Sequence, residues 1–189
     1  MILNEKQQML RKLYRDFAEN EFTDELLDRL EETGEFDWDI FNEMAKYGFL
    51  GIKAPVEYGG QGGDSMDYVL MVEEFSRVSP VLSLYANTSN SLGSGPLLFC
   101  GTEEQKQKYL TPVAKGEKIM VFCLTEPGAG SDAGGTLTTA VEDDFGNAGL
   151  DCLLANDGAN GLRTGNGARL LAGGLELCTQ GGNADEGLV

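Results

Sequence analysis

Histidine is absent from all 189 residues. That removes the commonest general base, the usual zinc ligand and every Ser-His or Cys-His nucleophile pair, so any chemistry must rest on carboxylates or on a cofactor. Basic residues are scarce: 14 Lys and Arg stand against 31 Asp and Glu, a formal net charge of −17. Neither nucleic acid nor an anionic membrane surface is an expected partner for such a chain. Cys100, Cys123, Cys152 and Cys178 lie far apart with no paired spacing, so a zinc site or redox dithiol is not expected and buried free thiols are the simpler reading. No apolar run approaches a membrane span, and the start at Met1-Ile2-Leu3-Asn4-Glu5 has neither the charged nor the apolar region of a signal peptide. These absences predict a cytoplasmic protein.

What is present reads first as helices. Asn4 can cap a helix with Gln7 placed to answer it, and Leu10, Leu13, Tyr14 and Phe17 follow at helical spacing as a core stripe. Thr23 and Asp24 open a second helix carrying Leu26, Leu27 and Leu30, with Gly34 as its stop; Asp37 opens a third with Ile40, Phe41, Met44 and Tyr47, ended by Gly48. Pro55 to Gly63 holds too many helix breakers for a regular element and predicts an ordered loop. Asp64 or Ser65 caps a fourth helix with Val69, Val72, Glu73 and Phe75 on or beside its buried face. A fifth runs from Pro80 through Leu82, Leu84, Ala86, Leu92 and Leu97, and the capping box of Thr102 and Gln105 opens a sixth over Glu103 to about Ala114. Phe99 and Tyr109 are expected in the core, and Glu57, Glu73 and Glu74 as solvated or capping carboxylates.

After Gly116 the pattern changes. Ile119 to Leu124 is a continuous apolar run that predicts a strand, and Thr136 to Val141, β-branched and alternating, predicts a second. Between them Thr125-Glu126-Pro127-Gly128-Ala129-Gly130-Ser131-Asp132-Ala133-Gly134-Gly135 supplies two hydroxyls, a proline without an N–H and four glycines. Main-chain N–H groups in such a loop can approach a polar, anionic or heteroaromatic ligand closely. Beyond Asp144 the chain turns glycine-rich, contains no lysine and keeps no firm period, and residues 145–189 are expected to be poorly ordered as a unit. The expected architecture is mainly α: a helical domain over 1–117, the first strands of a β-domain over 118–144, and an irregular tail over 145–189.

The stretch from Cys123 to Gly135 resembles the first signature of the acyl-CoA dehydrogenases and meets each of its constrained positions. Met44 to Ile52, Pro55 to Gly63, and Gly101 to Lys106 through Gly116-Glu117 resemble the same family in the same order, so the likeness covers residues 1 to about 144. It implies an FAD-dependent enzyme of fatty acid or amino acid catabolism. In that family a carboxylate removes the α proton of an acyl-CoA, the β hydrogen leaves as hydride to the flavin, and electrons pass to an electron-transfer flavoprotein. By position Phe122, Leu124 and Thr125 match residues that contact the flavin, and Ser131 matches one placed between flavin and acyl-CoA. Phe122 stands where the family often has tyrosine, which removes one hydroxyl contact. Glu126 belongs to the signature and is not thereby the base; the family's base lies in a C-terminal domain that is not legible here, so no catalytic residue is assigned. The family implies a homo-oligomer for the full-length form. The change near Phe145 is what a truncated or frameshifted version of a longer enzyme would show.

Gly128, Gly130 and Ala133 also fit the G-x-G-x-x-A form of a dinucleotide-binding turn, but Thr125-Glu126-Pro127 separates the strand from the first glycine and Gly134-Gly135-Thr136 opens no helix. Glu142-Asp143-Asp144 reads as a solvated turn, without the second acidic cluster a metal site needs. The loop could also be a tight strand connection without a ligand, which would leave a non-catalytic helical interaction module that has lost flavin binding.

Overall fold

The structure is a computed structural model that describes residues 3–122, 125, 129–132, 135, 139–142, 148–151, 169–171 and 175–179. The chain divides into two units, 1–116 and 117–189.

Each of the six helical stretches of the first unit opens on a side-chain cap. Asn4 and Gln7 form a reciprocal capping box at α1 (Glu5–Glu21), Thr23 caps α2 (Asp24–Thr33), and Asp37 caps α3 (Trp38–Lys46). Asp64 and Asp67 form a second box at α4 (Ser65–Val78). Each cap satisfies an N–H that the helix itself cannot. Gly34 and Gly48 end their helices at φ of 65° and 74°, the left-handed region open to glycine.

The fifth helical stretch is α5 (Pro80–Thr88), a π turn (Ser89–Gly93) and α6 (Ser94–Cys100). The sixth is α7 (Glu103–Gln105), a π turn (Lys106–Leu110) and α8 (Thr111–Ala114). Both π turns stand just before a proline inside the helix, Pro96 and Pro112. A helical proline has no N–H to donate and its ring collides with the carbonyl four residues back; here those carbonyls belong to Leu92 and Lys108, inside the widened turns. The π geometry lets each helix continue through its proline.

The core forms where α1, α4 and the 3-10 turn Phe49–Gly51 meet. Phe17 stacks on Phe75 with centroids 5.5 Å apart and meets Phe49 edge-on at 5.0 Å. Tyr14, Met44, Leu50, Met71 and Leu82 are buried with them. The loop over 52–63 contains a 3-10 turn, Val56–Tyr58, and is ordered by backbone bonds: the N–H groups of Gln61, Gly62 and Gly63 donate to the carbonyls of Gly51, Ala54 and Ile52. Ala54 and Tyr58 of this loop pack against Leu110 and Ala114.

Several expected faces are rotated in the structure. Leu13, Val69, Leu84 and Leu92 are exposed, and Phe99 is 85% exposed rather than in the core. Cys100 is an exposed free thiol, contrary to the expectation of buried ones. On α4 Glu74 is buried, as is Asp67 earlier on the same helix, whereas Glu73 is exposed; Glu74 is therefore not the solvated carboxylate expected. Helical spacing alone leaves a band of about 100° uncertain when the neighbours that will cover it are unknown.

In the second unit β1 spans Lys118–Phe122 and pairs antiparallel with β5 (Leu175–Thr179), which pairs with β4 (Arg169–Leu171). β2 (Thr139–Glu142) pairs antiparallel with β3 (Ala148–Asp151). The expected strands at Ile119 to Leu124 and Thr136 to Val141 coincide with β1 and β2 over part of their lengths; 123–124 and 136–138 lie outside the described residues. Within 145–189 the described residues are β3, β4 and β5, and the rest of the expectation for that tail lies outside them.

Candidate functional site

The loop that follows β1 is the candidate site. Phe122 is the last residue of β1, with its backbone opposite Leu175; its side chain, Leu124, Glu126 and Gly128 lie outside the described residues. Thr125 is exposed. The chain then returns on itself: a Cβ built at Gly130 would stand 4.0 Å from Cγ2 of Thr125. Ala129 is buried, whereas Gly130, Ser131 and Asp132 are exposed. The Gly135 N–H donates to the Asp132 carbonyl at 3.1 Å and closes a turn.

Of the four residues singled out from the sequence, Thr125 and Ser131 are therefore the two whose side chains are described. They come from the same looped segment, both are exposed, and neither hydroxyl has a hydrogen-bond partner among the described residues. Each hydroxyl keeps a donor and two acceptor positions available. Among the described residues a Cβ at Gly130 would meet nothing closer than that Thr125 methyl, which leaves the backbone there accessible to the planar, polar edge of a ligand. This donor set suits a heteroaromatic ring flanked by hydrogen-bonding groups.

The charged groups of the helical unit do structural work. Glu74, with a fully buried side chain, accepts from Arg11 Nε at 2.6 Å, from Arg15 Nε and a terminal nitrogen at 2.9 Å each, and from Arg77 at 2.8 Å. The hydrogen bond from Arg15 leads in lowering its pKa to about 2, against burial, which alone would raise it, and with help from Arg11 and Arg77. Lys6 pairs with the buried Asp67 at 2.6 Å, and Arg29 with the buried Asp37. The Tyr58 hydroxyl donates to Glu103 at 2.7 Å, a bond that, together with burial, pushes its pKa up to about 12. Sequence reading missed the role of Glu74, although Arg11 and Arg15 one turn apart on α1 were a signal that one face seeks a carboxylate. It also missed Asn90. Among the described residues no group of three or more His, Cys, Asp or Glu could hold a metal ion, and no helix is long and apolar enough to cross a membrane.

The acyl-CoA dehydrogenase N-terminal domain family matches residues 4–117. The chain is 58% identical over 142 residues to the caffeyl-CoA reductase-Etf complex subunit CarC of Acetobacterium woodii, a match covering 75% of this chain and 38% of that protein. It is 50% identical over 143 residues to a 3-(aryl)acrylate reductase of Clostridium sporogenes, covering 76% and 38%. Among solved structures, an acyl-CoA dehydrogenase complexed with FAD from Bacillus anthracis superposes with a TM-score of 0.71 at 38% identity, over 78% of this chain and 25% of that one. The chain spans about two fifths of the length of these two curated relatives.

Proposed function

Because the chain belongs to the acyl-CoA dehydrogenase family, we propose that it is the N-terminal portion of an FAD-dependent oxidoreductase working on the Cα–Cβ bond of an acyl-CoA thioester. The observation that carries this reading is the looped segment after β1, where the Thr125 and Ser131 hydroxyls stand exposed beside Gly130 with no hydrogen-bond partner among the described residues. FAD, when bound, takes up or gives back the hydride at the β carbon. This chain's residues do the holding. The backbone and hydroxyl of Thr125 would hydrogen-bond the edge of the ring, Phe122 and Leu124 would pack against it, and Ser131 would stand between the ring and the thioester. Donors fixed in place before the reaction stabilise an electron-rich ring without reorganising.

The names of two relatives support a proposed direction and substrate. The two curated proteins at 58% and 50% identity are named as reductases, of caffeyl-CoA and of 3-arylacrylates. An arylacryloyl thioester, reduced at its double bond, is accordingly the favoured substrate of the whole protein. The family chemistry run forward is the α,β-desaturation of a saturated acyl-CoA. An electron-transfer flavoprotein is the proposed electron partner, consistent with the Etf complex named for the Acetobacterium woodii relative. We further assign 1–117 to a helical domain, 118–144 to the start of a β-domain with the flavin loop and 145–189 to an atypical tail, in a cytoplasmic protein that forms a homo-oligomer at full length.

The test is flavin binding by the purified chain. After incubation with FAD and gel filtration, the protein fraction is expected to carry the absorbance of oxidised flavin, and Thr125→Ala and Ser131→Ala each to retain less. A folded but colourless chain that takes up no FAD would favour the helical interaction module instead.

A further inference from the structure

Helix α5, the π turn after it and α6 are built inside out. Ser83, Ser89, Asn90 and Ser94 are buried, whereas every exposed residue from Pro80 to Cys100 is apolar. Val81, Leu84 and Leu92 are each more than half exposed and Phe99 is 85% exposed. They follow one another at intervals of three, eight and seven residues, which places them along one helical face. No charged residue occurs from Val78 to Thr102, in a chain that is 24% charged. A helix face left to water normally carries charge; an apolar stripe without any has the composition of an interface centre.

Length and charge together select what covers the stripe. The match to each of the two reductase relatives takes in 38% of that protein, so 62% of its length lies outside the match. The family model that the helical unit fills is that of an N-terminal domain. Polypeptide that follows in the same chain meets such a face at high effective concentration, whereas a diffusing partner must find it. Two copies of this chain would each bring a net charge of −17, and their mutual repulsion opposes pairing.

We propose that the outer face of 80–100 is the seat on which the remainder of the enzyme packs, an assignment that rests on family membership and not on flavin binding by the loop after β1. Its occupant is a polypeptide segment, continuous with the N-terminal domain in the relatives, that presents an uncharged apolar surface to Leu84, Leu92 and Phe99.

The experiment places Leu84→Gln and Phe99→Gln in the full 189-residue chain and in a chimaera that carries this helical unit in place of the matching part of the Acetobacterium woodii subunit. In the 189-residue chain both side chains already meet water, so each variant should melt within about 2 °C of wild type. There the wild type should enhance the fluorescence of Nile red, a neutral apolar dye, and the two substitutions together should abolish most of that response. In the chimaera each variant should melt about 5 °C or more below its parent, the scale of uncovering one large apolar side chain. Chimaera melts that move with neither substitution overturn the proposal. So does a wild-type chain that gives no Nile red response, or a chimaera that fails to fold although both parents do. A wild-type dimer in sedimentation equilibrium that Phe99→Gln dissociates also overturns it, since a second copy then occupies the face. None of these readouts needs bound FAD, so a failure of the flavin reading is told apart from a failure of this one.

Discussion

Arg15 presents two nitrogens of its guanidinium to the two oxygens of Glu74, at 2.9 Å each, and so clamps α1 to α4 with a planar fork. Fork and carboxylate match in shape, which makes this pairing stronger and more directional than a point contact. Glu74 is fully buried, whereas Arg15 is 40% exposed. The arrangement therefore costs the desolvation of one charge, not two, and its loss strands that charge.

Replacing Glu74 with Ala should destabilise the helical unit by about 2–4 kcal/mol, because three arginines lose their common acceptor and a buried side chain is truncated. Arg77→Ala should cost less, about 1 kcal/mol, since its partner keeps Arg11 and Arg15. Urea unfolding of both variants distinguishes these outcomes. Equal losses in the two variants would show that the carboxylate is not the centre of the network.

The same carboxylate predicts a pH dependence. Its folded pKa, about 2, lies below the ordinary value of 4.5, so the unfolded chain binds the proton more readily. The stabilisation is complete above the ordinary carboxylate range and declines as pH falls from about 4.5 through about 2. Stability measured by denaturant melts across that window should fall more steeply in the wild type than in Glu74→Gln, which has no such proton to bind.

Two glycines should respond in opposite directions to alanine. A Cβ at Gly60 would stand 2.1 Å from the backbone oxygen of Ala54, a collision that cannot be relieved by a side-chain rotation, so Gly60→Ala should cost about 2 kcal/mol or more. At Gly95, inside α6, a Cβ would meet nothing within 4 Å. There the alanine should stabilise by about 0.5–1 kcal/mol through helix propensity. Thermal melts of the two variants on either side of wild type would bear this out.

Asn90 is 1% exposed and satisfies three backbone groups, the N–H of Lys53 and the carbonyls of Phe49 and Ala86. Asn90→Asp keeps the shape but removes the donors and places a carboxylate against two carbonyl oxygens, so it should destabilise more than Asn90→Ala, which itself should cost about 2–3 kcal/mol. Chemical denaturation with both variants checks the order. A milder aspartate would mean that the side chain's accepting oxygen, not its NH2, is what the turn requires.

The legible features were those written in a few adjacent residues. Asn4 with Gln7 and Thr102 with Gln105 were readable as helix starts because a capping box is closed within four residues, and each forms as expected. Gly34 and Gly48 were readable as stops for the same reason. In the site loop Thr125 and Ser131 are exposed on a returning segment, while Leu124 and the Phe122 side chain lie outside the described residues. The sequence did not indicate which of Glu73 and Glu74 turns inward. These neighbours differ by 100° on the helix, and only the approach of Arg11, Arg15 and Arg77 makes burial of Glu74 affordable.

By itself, then, the sequence determined the family, the six helical stretches and their caps, because all of these rest on local backbone preferences and on short patterns. Only the tertiary structure decided which faces were covered. Phe99 and Leu84 carry the same apolar chemistry as Phe75 and Leu82, yet the first pair is exposed and the second buried. The difference lies in which helix arrives to pack against each face, and hydrophobic burial, having no direction of its own, takes its geometry from that arrival.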